Sequence, residues 1–195
     1  AASPPMIDSH CHLADDVYAA DLQDVITRTK DAGVERVMVI LEAGNAQEEA
    51  QAKKVHTLWK DIRAAVGVHP HHAHQFNDNA LGAVDKVRDQ IKRLPFVRAV
   101  GEIGLDYHYD YSPRPTQQAV FRAQIRLARE LNLPIVIHSR EADQDTIDAL
   151  KSAGGGDVRG VFHCFTGTHE LAAAALDLGF YISLAGVLTF PNAQE

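Results

Sequence analysis

His10 and His12 stand one residue apart at the end of a short first strand, which the sequence predicts within 6–13. Because side chains alternate between the two faces of a strand, both imidazoles and the preceding Asp8 point to one side. Two imidazoles on one wall can hold a single metal ion. A pattern of two residues is weak evidence by itself, and histidines hydrogen-bonded in a core are the alternative. The hypothesis of a metal site therefore depends on the ends of the later strands.

Three further candidate ligands follow apolar runs, namely Glu102, His138 and His163. A single histidine after a buried strand is usually structural, but the recurrence of such residues at several strand ends favours ligation. Imidazole and carboxylate groups suit zinc, manganese, iron or nickel, whereas an all-oxygen set suits magnesium or calcium. Four histidines and one glutamate exceed what one open catalytic ion needs, so we expect two divalent ions bridged by Glu102. Such ions flank a scissile group and activate a water molecule.

Other polar side chains near these strand ends are candidates for substrate binding. His69 follows the third predicted strand, although an exposed polar loop is the alternative for this segment. The guanidinium of Arg140 suits bidentate binding of a phosphate, or it starts a surface helix. Asp106 extends the Glu102 segment and is expected to shape the substrate pocket. The run 107–111 offers aromatic faces for a nucleobase, with an ordinary loop cluster as the alternative.

The elements that must position these residues alternate regularly along the chain. Later strands are predicted at 34–41, 62–68, 97–100 with a continuation to 106, 134–137, 160–162 and 180–184. Helices are predicted at 16–30, 46–59, 80–94, 115–131, 145–153 and 169–178. Repeated strand–helix units predict a parallel sheet, either an eight-stranded barrel or an open doubly wound sheet. The TIM-type (β/α)₈ barrel is favoured, because a barrel gathers nearly all its strand ends at one mouth.

Composition sets the class of protein. The chain has 195 residues, of which 46% are hydrophobic and 23% charged, so a single globular domain over 1–195 is expected. A net charge of −7 argues against a broad basic groove for duplex nucleic acid, but not against an anionic substrate held by metal ions. Two cysteines are too few for a disulfide framework and suggest a reduced, cytoplasmic protein. Residues 1–5 are expected to be a disordered leader.

Five ordered motifs resemble the TatD family of metal-dependent deoxyribonucleases, which belongs to the amidohydrolase-like hydrolases. They occupy 6–13, 66–71, 100–107, 133–142 and 163–167. The resemblance implies a (β/α)₈ barrel and hydrolysis of DNA phosphodiester bonds, with 3′–5′ exonuclease activity in DNA repair and DNA degradation. It implies two ions, magnesium or manganese in function and zinc or nickel as bound. DNA, as single strands or 3′ ends, would be the substrate, and a monomer is favoured.

The resemblance also distributes the ligands. It assigns His10 and His12 to one ion and His138 and His163 to the other, with Glu102 as the bridging and catalytic carboxylate. The family has a further aspartate at the end of the eighth strand. This chain ends before that segment, so seven of eight strands and a C-terminal truncation are expected.

Two alternatives remain. A lactone, amide or phosphotriester hydrolase would keep the metal barrel, but some such enzymes bridge their ions with a modified lysine at a strand end. Here the predicted strand end supplies Glu102, and all lysines fall in predicted helices or loops, which favours the nuclease. An inactive metal-binding fragment is the other alternative.

Overall fold

The computed structural model describes residues 5–193, so most of the expected leader lies outside the described residues. Its strands are β1 (Met6–Cys11), β2 (Val34–Glu42), β3 (Arg63–Gly67), β4 (Val97–Asp106), β5 (Ile135–Arg140), β6 (Gly160–Phe162) and β7 (Tyr181–Ile182). Its α-helices are α1 (Leu22–Asp31), α2 (Ala46–Leu58), α3 (Ala80–Arg93), α4 (Arg114–Leu131), α5 (Asp143–Gly154) and α6 (His169–Asp177). Short 3₁₀ helices occupy Asp16–Tyr18, Pro70–Phe76 and Gly186–Thr189.

All seven strands are parallel and lie in the sheet in chain order, from β1 to β7. The sheet curls into a half-barrel with helices on its outer face, which confirms the TIM-like α/β fold with seven strands. Because the strands are parallel and consecutive, their carboxyl ends face one mouth. The single-domain assignment stays a prediction. No helix in 5–193 combines the length and the apolar character that a membrane crossing requires.

Two apolar clusters cover the two faces of the sheet. The large cluster packs the helices on the outer face and includes the fully buried Phe121 and Phe162. The small cluster consists of Ile40, Ala65, Ala99 and Val136, one residue from each of β2 to β5. These side chains are small enough to fill the narrow concave face. They form a floor, and the residues two positions further along β2 and β5, Glu42 and His138, stand at the mouth above it.

Two local predictions differ from the structure. The helix expected at 16–30 is divided, because the Asp15 side chain accepts a hydrogen bond from the Val17 backbone N–H and starts a separate 3₁₀ turn. The segment after β3 is not an irregular loop. It is the 3₁₀ helix Pro70–Phe76, and His69 caps its amino end. Proline at the first helical position suits such a start, since its missing N–H would have no partner there.

Candidate metal centre

Glu102, near the carboxyl end of β4, is the residue around which the candidate site is arranged, and its side chain is about 10% exposed. In a regular strand it would point to the face opposite Ala99. The pairing of β4 with β5 has an irregularity between Gly101 and Ile103. Such irregularities re-aim side chains, and this one turns Glu102 to the concave face. The carboxylate thereby reaches histidines from both sides of the half-barrel.

On the β5 side, His138 lies between two carboxylates. Its Nδ1 is 3.2 Å from Glu102 Oε1 and its Nε2 is 2.9 Å from Asp106 Oδ2. Gly104, with φ of +151°, permits the close approach of the β4 and β5 backbones that brings His138 here. A Cβ atom at Gly104 would collide with the His138 backbone carbonyl oxygen. A proton on Nε2 that is donated to Asp106 leaves the Nδ1 lone pair for a metal ion.

On the β1 side, His10 and His163 stack against each other beside Glu102. Their ring centroids are 3.3 Å apart with an angle of 7° between the planes. His10 Nε2 lies 3.4 Å from Glu102 Oε2. Both ring nitrogens of His10 are buried, and neither has a hydrogen-bond partner among the described residues. The His12 ring lies edge-on to His10 at 5.2 Å, but this residue is exposed and lies outside the tight group.

His69 faces Glu102 from the end of β3, with its Nε2 4.0 Å from Glu102 Oε1. Its Nδ1 accepts a hydrogen bond from the His71 backbone N–H at 3.2 Å. In the neutral imidazole, an accepting Nδ1 places the proton on Nε2. His69 therefore presents an N–H donor to the mouth. This tautomer suits contact with an anion better than direct ligation through Nε2.

The Asp106 carboxylate, expected in the substrate pocket, is fully buried at the end of β4. Its Oδ2 accepts from both His138 and His71, at 2.9 and 2.8 Å. Its Oδ1 accepts from the backbone N–H groups of His108 and Tyr109. These four contacts occupy the carboxylate with internal partners, so Asp106 orients histidines rather than facing the mouth. Its role as a substrate contact stays a prediction.

Arg140 ends β5, and its guanidinium lies 5.1 Å from the centroid of the Tyr109 ring. It is only partly buried at the rim, where a phosphate could approach it. The position agrees with the expected substrate contact without testing it.

Two residues of the site were missed at the sequence level. Glu42 ends β2, is partly buried, and accepts from the His69 backbone N–H and from His72. The same rule that identified His138, a polar residue directly after an apolar run, would have found it. His71 could not be found in this way, because its contact with Asp106 joins two segments that are distant in sequence.

Burial and neighbouring charges set the protonation of the site. Burial lowers the pKa of His69 to about 3 and that of His163 to about 4. Burial alone would raise the pKa of Glu102, but the surrounding imidazoles outweigh this effect and hold it below its usual range. Burial would lower the pKa of His138, yet the Glu102 and Asp106 carboxylates outweigh burial and raise it. At neutral pH the mouth therefore combines the anionic Glu102 carboxylate with the neutral imidazoles of His69 and His163.

These residues fit a divalent cation. Both ring nitrogens of His10 are buried without a hydrogen-bond partner among the described residues, and a metal ion would bind the lone pair of the unprotonated one. Three groups each bring three ligand atoms within 4.8 Å of one another: His10–Glu102–His163, His69–Glu102–His138 and His71–Asp106–His138. The first group joins His163 to His10, whereas the family pattern assigns these residues to different ions. The imidazole and carboxylate donors suit first-row transition metals.

A family model described as "TatD related DNase" matches residues 7–195. The chain is 40% identical over 190 residues to a Bacillus subtilis protein named uncharacterized metal-dependent hydrolase YabD, covering 97% of this chain and 72% of the relative. It is 35% identical over 182 residues to an Edwardsiella piscicida protein named 3′-5′ ssDNA/RNA exonuclease TatD, covering 93% of this chain and 68% of the relative. These matches do not bear out the expected truncation.

The fold is also similar to solved structures. The crystal structure of the TatD homologue YjjV from Escherichia coli superposes with a TM-score of 0.83 at 29% identity, covering 96% of this chain and 71% of that chain. A phosphotriesterase homology protein from Escherichia coli reaches a TM-score of 0.65 at 18% identity, over 91% of this chain and 69% of that one, and shares the fold alone. The family match spans the strands that carry Glu102 and its histidines, and the chain belongs to the TatD-related DNase family of metal-dependent hydrolases.

Proposed function

We propose that the protein is a divalent-metal-dependent exodeoxyribonuclease that removes nucleotides from the 3′ ends of single-stranded DNA. The observation that carries the proposal is the Glu102 carboxylate with histidines on both sides at one open mouth. The Edwardsiella piscicida relative, named as a 3′-5′ ssDNA/RNA exonuclease, supports the substrate and the polarity.

We assign His10, His12, Glu102, His138 and His163 to the metal ligands. Divalent cations, when bound, offset charge on the phosphoryl oxygens and lower the pKa of water. Two ions are favoured, because imidazoles approach Glu102 from both sides of the mouth, His10 at Oε2 and His138 at Oε1. Magnesium or manganese would serve in function, whereas zinc or nickel would bind more tightly to this imidazole-rich set.

The chain's own residues position the substrate. Glu102, anionic at neutral pH, bridges the two sides of the mouth. His69 is uncharged, and its Nε2–H donates to a phosphate oxygen without bringing a second positive charge into the buried site. Arg140 offers a second, charged contact at the rim. Together they orient the phosphodiester toward Glu102, and such positioning supplies much of the rate of a phosphoryl-transfer enzyme.

A direct assay tests this proposal on the full chain. A single-stranded oligodeoxynucleotide labelled at its 5′ end is incubated with the protein and magnesium or manganese. We expect a ladder of labelled products that shortens stepwise from the 3′ end, and a Glu102→Gln variant that gives none. Intact DNA, with hydrolysis of a lactone or phosphotriester instead, would overturn the proposal.

The alternative of an inactive metal-binding fragment needs a test of its own. A second assay on the same sample, metal content with a urea unfolding curve, separates an active enzyme from an inactive metal-binding fragment. A cytoplasmic location, a monomer and a part in DNA repair stay predictions. Cys11 and Cys164 are both unpaired in the structure, and a reduced protein stays a prediction.

A further inference from the structure

The aromatic run 107–111 separates into two kinds of tyrosine. Tyr107 is tied into the fold, since its hydroxyl donates to Asp145 Oδ2 at 2.6 Å and accepts from Gln118 Nε2 at 2.8 Å. The Arg114 guanidinium lies 4.3 Å from the centroid of its ring. The hydroxyl of Tyr107 is therefore engaged within the fold, and Arg114 covers part of its ring.

Tyr109 and Tyr111 behave differently. Their rings stack with centroids 5.2 Å apart and an angle of 13° between the planes. Tyr109 is 46% exposed and Tyr111 is 62% exposed, although large aromatic side chains usually contribute to a core. We call these two side chains the tyrosine pair. The pair is a stacked aromatic surface at the rim that the fold leaves about half exposed.

The tyrosine pair adjoins the candidate metal centre through one side chain. The His71 ring packs edge-on against Tyr111 at 4.8 Å and against Tyr109 at 5.6 Å. His71 Nε2 is held by Asp106 Oδ2, which also holds His138. The pair thus packs against a histidine that is held by the same carboxylate oxygen as a proposed metal ligand.

A cation lies beside the same surface. The Arg140 guanidinium is 5.1 Å from the Tyr109 ring centroid. A nucleotide carries a planar base and an anionic phosphate one sugar apart. A stacking surface with an adjacent guanidinium at the rim matches both features, as in sequence-tolerant sites for single strands.

We propose that the tyrosine pair is the platform on which one base of a single-stranded substrate stacks, with the neighbouring phosphate against Arg140. This inference rests on the proposed function and adds the means of substrate recognition. Because every base has an aromatic face, the platform selects unpaired strands without selecting sequence. A base held in a duplex has both faces covered by its neighbours, so the platform disfavours duplex substrates.

The test compares substrates with and without bases at the 3′ end. One oligothymidylate is intact, and a second carries abasic residues at its three terminal positions. Tyr111→Ala is expected to raise KM for the intact strand about 10- to 100-fold, with kcat nearly unchanged. The same substitution is expected to leave KM for the abasic strand unchanged, because no base remains to stack. Tyr111→Phe keeps the ring and is expected to behave like the wild type.

A matched control uses Tyr181, a 77% exposed tyrosine on β7, outside the pair. Tyr181→Ala is expected to change KM for neither strand. Equal effects of Tyr111→Ala on the intact and abasic strands, or no effect on either, would overturn the platform while leaving the nuclease proposal standing.

A binding measurement tests the platform without requiring that the protein hydrolyse the strand. The two oligonucleotides, labelled with fluorescein, are titrated with the wild type and with Tyr111→Ala, and fluorescence anisotropy is followed. Base-dependent binding that Tyr111→Ala removes, without any hydrolysis by the wild type, would support the platform and refute the nuclease. Absence of both binding and hydrolysis would overturn both.

Discussion

On the β1 side of Glu102, His10 and His163 stack on each other, and the ring nitrogens of His10 are buried without a hydrogen-bond partner among residues 5–193. On the β5 side, His138 is held at both nitrogens, by Glu102 and by Asp106. The first side therefore offers buried imidazole nitrogens that a cation could bind. The second side is a completed hydrogen-bond network.

The difference indicates how the two sides divide the work of binding metal. Burying a polar group without a partner costs free energy, and the His10 ring nitrogens on the β1 side carry this cost. A cation bound there would offset part of it. The β5 side is already satisfied, and a cation there must displace the proton that Glu102 and Asp106 stabilise on His138. We therefore expect bound metal to stabilise the residues on the β1 side more than those on the β5 side. On the β5 side, hydrogen bonds already orient His138 before metal binds.

Removal of Glu102 tests the element that both sides share. Glu102→Ala is expected to lower nuclease activity on the order of 1,000-fold and to release metal from both sides, since several kcal/mol of charge stabilisation depend on the metal. Activity and bound metal per chain are measured together. The control is Glu130→Ala, an exposed carboxylate paired with Arg88. Retained metal with lost activity would show that Glu102 does not bridge the two sides.

Asp106→Asn tests whether the β5 side depends on its buried carboxylate. The amide no longer fixes the proton of His138 on Nε2, so metal affinity is expected to fall about 10- to 100-fold. Isothermal titration with manganese measures it. Asp110→Asn is the matched control, because Asp110 is an exposed aspartate that pairs with Arg114 instead of with a histidine. If Asp106→Asn and the wild type bind manganese with equal affinity, the hydrogen bond from His138 to Asp106 does not contribute to metal binding.

Two alanine variants contrast the sides without metal. In protein treated with a chelator, His138→Ala leaves Asp106 buried with one partner fewer, and a loss of about 2 kcal/mol in unfolding free energy is expected. His163→Ala breaks no hydrogen bond of its ring within the described residues and is expected to cost less. Urea unfolding curves give both values. Equal losses would mean that the two sides are equally satisfied before metal binds.

Glu49 on α2 can be compared with Glu102, and the expected effect of its substitution is smaller. Its partners are Arg93 and Lys53, which stay charged between pH 2 and pH 7, whereas the partners of Glu102 are histidines. Hydrogen bonds from Arg93, and then from Lys53, lower its pKa from 4.5 to about 2 despite burial. A depressed pKa stabilises the fold above pH 4.5, and this stabilisation disappears as the pH falls toward 2. Solvent screens the half-exposed partners, so Glu49→Gln is expected to cost about 1 kcal/mol at pH 7.

Unfolding curves of Glu49→Gln and the wild type between pH 2 and pH 7 check this expectation. The difference in unfolding free energy should shrink steadily below about pH 4.5. A difference that persists at pH 2 would assign the effect to packing instead of charge.

The helices and strands could be predicted from the sequence, because the signals that define them involve neighbouring residues. The predicted helices at 46–59 and 80–94 agree with α2 and α3 to within one residue at each end. Asn45 and Asn79 cap them through side-chain oxygens, a signal that depends only on neighbouring residues. Apolar runs likewise located β2 and the floor residue Ile40.

The site was predicted less completely because its contacts are not local. Placing Glu102 at the mouth required only its position after an apolar run, but its orientation depends on an irregularity in strand pairing. The stacking of His163 on His10 joins β1 to the end of β6, which no local pattern encodes. The tautomer of His69 follows from a helix cap that was expected to be a loop. Distances between segments, and not residue types, were therefore the missing information.

One oxygen atom, Asp106 Oδ2, accepts hydrogen bonds from both His71 and His138. His71 touches the tyrosine pair, and His138 is a proposed metal ligand, so a single acceptor lies between the two binding events. Linkage requires that any factor by which bound metal tightens the stacking of a base equals the factor by which the base tightens the metal. Manganese affinity measured with and without the intact oligothymidylate should show this reciprocal factor. The enzyme would then hold its metal most firmly when a strand end is in place.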